Sequence, residues 1–245
     1  MNGKIEFKMD NFSEPFSLAL QLLWGFDQEL YRIIFLSVKV SCSAVFLALL
    51  LGIPAGALLA TKRFFGRQFV ILISKTALSM PPVVIGLIVY ILISHSGPLG
   101  FLDILYTPNA MILAQFFLVL PISIALSNQI FEDLNNKFKL FFRSLGLTFW
   151  QQTTAFLAEA KYHLLTIMIF CFGRAISEIG AVILVGGNIR HLTRVMTTSI
   201  ALETSKGNIA IALALGVVLI IIALIINSIS HLVSQKLVRE NKHVL

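Results

Sequence analysis

Apolar residues gather into five stretches, at 33–60, 69–93, 110–130, 164–185 and 209–229. Each is close to or longer than the about 20 residues that carry a helix across a hydrocarbon core. The first holds Lys39 near its entry end, where the stem can snorkel. Its second half carries Gly52, Pro54 and Gly56, which predict a bend or a close helix contact. Pro81 and Pro82 interrupt the second stretch and free backbone carbonyls there, so a packing kink and a gate explain them equally well. Pro121 is central in the third, and the fifth is an unbroken Leu/Ile run. Ahead of the first, 15–26 is apolar but too short to span, with Leu18, Leu22 and Leu23 on one helical face. It reads as an interfacial helix. The segment 186–208 is polar, with a short helix predicted from Thr193.

The longest polar interruption is 132–161. Phe138, Phe141, Phe142, Leu145 and Phe149 recur at three- and four-residue steps and stripe one helical face. Gly146 offers the left-handed conformation that ends a helix, and Thr148 with Gln151 reads as a capping box that starts the next. The pattern predicts a helix–Gly–helix elbow on a membrane face, with Phe149 and Trp150 at its tip. Such an elbow fits a loop helix lying in the lipid interface, and equally a knob that docks into another protein.

Composition makes the membrane reading firm. The 245 residues are 57% hydrophobic and 13% charged, with a mean hydropathy of +0.88. A soluble domain of this size needs far more polar surface. The net charge of +7 comes from basic residues scattered between apolar spans, not from one stripe, which argues against nucleic-acid binding. Lys62, Arg63, Arg67, Lys137, Lys139, Arg143, Lys161, Lys236, Arg239 and Lys242 fall on one side. Lys4, Lys8, Arg32, Arg190, Arg194 and Lys206 fall on the other. The richer side is cytoplasmic, which puts the N-terminus outside and the elbow and C-terminus inside. The first dozen residues have no apolar core, so no cleaved signal peptide is expected. Cys42 and Cys171 lie within apolar stretches and give no disulfide or metal pattern. No internal repeat relates the spans.

The candidate chemistry is sparse. No nucleophile–base pair, metal cluster or P-loop is present, so no catalytic residue, metal or cofactor is expected. Arg174 and Glu178 are four residues apart and share a helix face, so they can neutralise each other within the membrane. That pair is either a structural bridge or the polar wall of a hydrophilic path. With Arg190 and Arg194 outside, Arg174 gives the outer half a positive bias suited to a dianion.

The SLGLTFWQQ elbow, followed by a span ending GRAISEIGAVILVGGN, resembles ATP-binding-cassette permease subunits for oxyanions. SMPPVVIGLIVY, SGPLG and GGNIRHLTRVMTTSIALETSKG are similar, more narrowly, to tungstate-transport permeases, from about Ile33 to the end. Molybdate and sulfate permeases share the GN and differ after it. The resemblance implies an all-α polytopic fold of the type I importer class, with five transmembrane helices over 29–232. An external segment with an interfacial helix precedes it at 1–28, and a cytoplasmic tail follows at 233–245. It also implies a non-enzymatic subunit of a prokaryotic plasma or inner membrane, working as a homodimer among lipid. Its partners would be a dimer of cytoplasmic ATPase subunits and an extracytoplasmic binding protein. Carried across, Arg143, Leu145, Gly146, Phe149 and Trp150 become the ATPase-coupling residues. Pro81, Pro82, Arg174 and Glu178 are candidates for the path or gate, and Asn188, Arg190, Thr193 and Arg194 mark the external loop. The elbow departs from the family in having Leu140, Phe141 and Phe142 where Glu-Ala-Ala is usual, and Ala158 and Glu159 where Leu-Pro is usual. An ion-coupled carrier with Glu178 as proton acceptor is the rival from another class, and a membrane-anchored assembly protein is a third. The lack of a repeat and of a second buried acid counts against the carrier.

Overall fold

A computed structural model gives the architecture. It describes the backbone of residues 14–25, 27–144, 146 and 149–242, and side chains at 16–25, 27–138, 151 and 159–232. The described residues form nine α-helices and one short 3-10 turn, with no strand: α1 Glu14–Trp24, α2 Gln28–Thr61, α3 Arg67–Leu78, α4 Pro82–Ile93, α5 Pro108–Ser144, α6 Phe149–Ile176, α7 Gly180–Gly186, α8 Met196–Ser205 and α9 Ile209–Lys242. Three helices are long and apolar enough to cross a membrane unbroken, namely α2, α5 and α9. Two bent pairs, α3 with α4 and α6 with α7, bring the number to five if each pair counts as one span.

The α2–α5 pair is the spine. Gly52 lies so close to α5 that a Cβ there would sit 2.6 Å from Ser123 Cβ. At Gly56 a Cβ would meet the backbone, 2.8 Å from Asn128 N and 2.9 Å from Ile124 O. Of the two outcomes expected for this glycine cluster, the close contact is the one found. Small residues at four-residue steps let backbones approach, and in lipid that packing replaces the hydrophobic drive between helices. Ala44 and Ala48 continue the stripe and are fully buried. Pro54 and Pro121 sit inside α2 and α5 without ending either helix.

Three clusters fill the interior. The largest joins α2, α4, α5, α6 and α7 around Val89, Met111, Leu118 and Val182. A second packs α1 on α9 through Ala19, Ala214 and Leu215. Ala19, Leu22 and Leu23 form the packed face of α1, while Leu18 is half exposed, so the predicted face is rotated by one position. Asp27 then starts α2 by accepting the Leu30 N–H at 2.8 Å. Outward, Phe35, Phe46, Leu50, Leu72, Ile220 and Leu224 are all more than half exposed, as lipid-facing side chains are.

Three expectations change. The second apolar stretch is not one tilted helix but two, bent by 112° between Leu78 and Pro82. Pro82 has no N–H to continue the ladder, and Pro81 restrains Met80 from helical geometry. The fourth stretch is likewise split, with a 58° bend across 177–179. Finally, the helix–Gly–helix elbow forms, with Gly146 in the left-handed conformation between Ser144 and Phe149, but its two helices are not separate from the spans. With no Pro or Gly between Phe131 and Ser144, α5 runs unbroken into it, and α6 runs out of it into the next span. The result is a helical hairpin whose base packs Ala60 of α2 on Phe131, Leu134 and Ala160, with Phe138 against them.

The spine yields a sharp prediction. Gly56→Ala should lower the thermal midpoint of the purified protein, at about 1–3 kcal/mol for overpacking. Gly216→Ala, where a Cβ meets nothing within 4 Å, should leave it unchanged or raise it by up to about 1 kcal/mol. Equal effects would contradict the contact.

Candidate translocation site

Both helix breaks come together. Gly180, the first residue of α7, sits against Val83 of α4, where an added Cβ would lie within 3 Å of Val83 Cγ2. One turn on, Gly86 faces Ala181 with room for no Cβ, since Ala181 Cα would be 2.5 Å away. The short halves α4 and α7 therefore pack closely, backbone on backbone at Gly86, just past Pro81 and Pro82 in one and the 177–179 link in the other.

Glu178 organises that link. It is 5% exposed, and its Oε2 lies 2.9 Å from Arg174 Nη1. Its Oε1 accepts the Ala181 N–H at 3.1 Å, one of the first-turn donors of α7 that has no helical partner. The backbone carbonyl of Glu178 accepts the Thr197 hydroxyl of α8 at 2.8 Å. Gln115 of α5 donates its Nε2 to the Ala175 carbonyl at 2.9 Å, next to the end of α6. The i,i+4 pairing is thus real, but the two residues do not share one helix. Glu178 stands beyond the last residue of α6, and the turn at 177 brings it back. An isolated charge at mid-bilayer costs at least about 2.5–3.5 kcal/mol, and here one opposite charge and one N–H offset it.

Arg174 is 31% exposed and opens into a groove of about 640 Å³ between α6 and α9. Thr166, Ser177, Asn227 and Ser230 give this otherwise apolar groove further hydrogen-bonding groups. Here the break, a cation and a continuous hollow coincide.

The loop between α7 and α8 is a compact knot. Asn188 has φ +50 and uses its side chain to bond Thr198, accepting its hydroxyl at 3.0 Å and donating to its carbonyl at 3.3 Å. Thr193 is buried, donates to the Gly186 carbonyl and accepts from Ile189 N at 2.9 Å. This closure explains why the short helix begins at Met196 and not at Thr193. Met196 N–H in turn bonds Ser37 Oγ of α2 at 2.8 Å. Arg190 meets Glu29 at 2.8 Å, and Arg194 lies 3.7 Å from the same carboxylate. Two guanidinium groups against one carboxylate leave one net positive charge, so the expected bias is smaller than the sequence implies. Glu203 is buried beside them, and a hydrogen bond from Asn208 with support from Lys206 holds its carboxyl below the usual range.

Of the predicted coupling residues, Gly146 has φ +62 with open space around it. Leu145 and Thr148 lie outside the described residues, as do the side chains of Arg143, Phe149 and Trp150. Sequence reasoning missed Gln115, Glu29 and Glu203. Gln115 carried a signal, being an amide set deep in an apolar run between Ala114 and Phe116. Glu29 pairs with Arg190 across 161 positions, which no local pattern reveals.

Residues 52–239 match the family model described as binding-protein-dependent transport system inner membrane component. The chain is 39% identical over 228 residues to the tungstate uptake system permease protein TupB of Peptoclostridium acidaminophilum, covering 93% of this chain and all of that one. It is 40% identical over 223 residues to the protein of the same description in Campylobacter jejuni, covering 91% and 93%. A probable anion ABC transporter permease protein of Haloferax volcanii is 36% identical over 198 residues, covering 79% and 85%. Permeases described for molybdenum in Bacillus subtilis and for sulfate in Synechocystis match at 25%.

The buried pair can be tested directly. Arg174→Ala alone leaves Glu178 without its partner and should destabilise the protein by about 3–5 kcal/mol. Arg174→Ala combined with Glu178→Gln keeps an acceptor for Ala181 N–H and should recover most of that loss. Thermal midpoints of the wild type, both singles and the double close the cycle. A double variant no better than Arg174→Ala would contradict the pairing.

Proposed function

The chain belongs to the binding-protein-dependent transport system inner membrane components, and from that premise we propose that it is the permease subunit of an ATP-driven tungstate importer. It is a multi-pass ABC transport permease of the oxyanion class and a transport component, not an enzyme. The observation that carries the narrower reading is the identity of 39–40% along nearly the whole chain with two permeases described for tungstate uptake. Those described for molybdenum and sulfate stand at 25%.

In this reading the permease domain is 29–232, with 1–28 outside and 233–245 in the cytoplasm. Two copies enclose the path, because the groove beside Arg174 is open to one side in a single copy. A binding protein delivers the anion outside. A separate ATPase subunit docks on the hairpin tip at Arg143, Leu145, Gly146, Phe149 and Trp150. The left-handed φ of Gly146 supports a tight turn there. Helix α6 runs without a break from that tip to Arg174, so displacement of the tip reaches the link at 177–179 as a rigid-body movement. The gate is the junction of Pro81, Pro82 and Glu178. Arg174 and Ser177 line the path on its groove side. Asn188, Arg190, Thr193 and Arg194 shape the external mouth.

Tungstate and molybdate share size and charge, so discrimination needs hydrogen-bond geometry in a closed pocket, and the binding protein supplies it. Uptake of radiolabelled tungstate by cells expressing the complete system tests the assignment. Excess sulfate should leave uptake unchanged, and excess unlabelled tungstate should abolish it. Sulfate competing as well as tungstate would overturn the reading.

A further inference from the structure

A second groove, of about 260 Å³, opens where the external loop passes the N-terminal part of α2. Arg32, Phe35 and Lys39 of α2 line it, with His191 and Arg194 of the loop and Glu29 at its edge. Its charge is unbalanced. Glu29 is the sole acid on that wall and is already bonded by Arg190 at 2.8 Å. Arg32 and Lys39 are exposed and take part in none of the ion pairs among the described residues. Three cations therefore face one engaged carboxylate, before His191 is considered.

Position narrows the ligand. Lys39 lies six residues beyond Ile33, about 9 Å deeper along the helix. At that depth an ammonium reaches the headgroup level by extending its stem toward the water side. The same exposed face of α2 continues past it as Phe46 and Leu50, 66% and 57% exposed, and carries Phe35 above it at 69%. A cationic groove set on top of a bare apolar stripe complements a molecule with a phosphate at one end and acyl chains below it. A small inorganic anion has no use for the stripe. A soluble protein surface cannot follow the stripe into the bilayer.

We propose that this groove binds the headgroup phosphate of an anionic phospholipid, with Arg32 and Lys39 as its ligands and the acyl chains lying over Phe35 and Phe46. The lipid supplies the counter-charge that the chain withholds from Lys39. The inference rests on the membrane location and is independent of which oxyanion is transported.

Native mass spectrometry on the full chain, released from bilayers of equal phosphatidylcholine and phosphatidylglycerol, tests it. The wild type should retain phosphatidylglycerol preferentially, by roughly fivefold for each basic residue engaged. Arg32→Gln with Lys39→Gln should bring the preference near unity, and Lys39→Gln alone, the milder change, should remove part of it. Lys206→Gln, on a lysine already engaged by Glu203 at 3.0 Å, should leave it intact. Matched thermal midpoints and elution profiles establish that the variants are folded. An unchanged preference in the double variant and in Lys39→Gln would overturn the proposal. Loss of the bound lipid on adding millimolar molybdate or sulfate would overturn it too, by making the groove a free-anion site.

Discussion

Backbone contact between α4 and α7 is the constraint on which the centre of the molecule depends. At Gly86 and Gly180 the two half-helices meet with no room for a Cβ. Half-helices need such neighbours. Each break strands carbonyls and N–H groups that the bilayer cannot satisfy, so partners must come from adjacent elements. Gln115 answers the Ala175 carbonyl, Thr197 the Glu178 carbonyl, and the Glu178 carboxylate the Ala181 N–H. These bonds tie α5, α6, α7 and α8 to one point, and Arg174 completes the charge balance there.

The α2–α5 spine and the knot between α7 and α8 hold that point in place from either side. Small residues on α2 let α5 approach closely, and α5 carries Gln115 to the break. On one side, Ser37 of α2 fixes the start of α8, and Thr197 one residue later fixes Glu178. On the far side, Arg67 joins the end of α2 to α5, donating to the Leu59 carbonyl and to Glu132 at 3.2 Å. The hairpin that follows is an extension of the spine, so it is mechanically continuous with the site.

Much of this was readable from residue order. Apolar run length gave the membrane class, and Gly52 and Gly56 announced the close contact. Gly146 announced its left-handed turn, and the spacing of Arg174 and Glu178 gave their pair. What escaped is non-local or depends on how far a helix persists. Pro81 and Pro82 mark a break, but the 112° angle is set by what α4 packs on, not by the prolines. The break at 177–179 has no proline at all, only Gly180 with its tertiary contact. Polar composition at 132–161 suggested a separate elbow of short helices, yet polar residues extend a helix into water as readily as they end one. The Glu29–Arg190 tie joins the start of α2 to the loop between α7 and α8, which a single sequence cannot display.

The central claim is that the junction around Glu178 is a gate worked from the hairpin tip. Ser177 is exposed on the groove side of that junction. Its replacement by cysteine, in a background with Cys42 and Cys171 changed to serine, gives the most direct measurement. The rate of labelling by an impermeant thiol reagent would be followed in the complex of permease, ATPase subunit and binding protein reconstituted in proteoliposomes. The account predicts a rate that changes several-fold between the nucleotide-free and ATP-trapped states and falls when the transported oxyanion is present. A rate that is the same in both states and indifferent to the anion would contradict it.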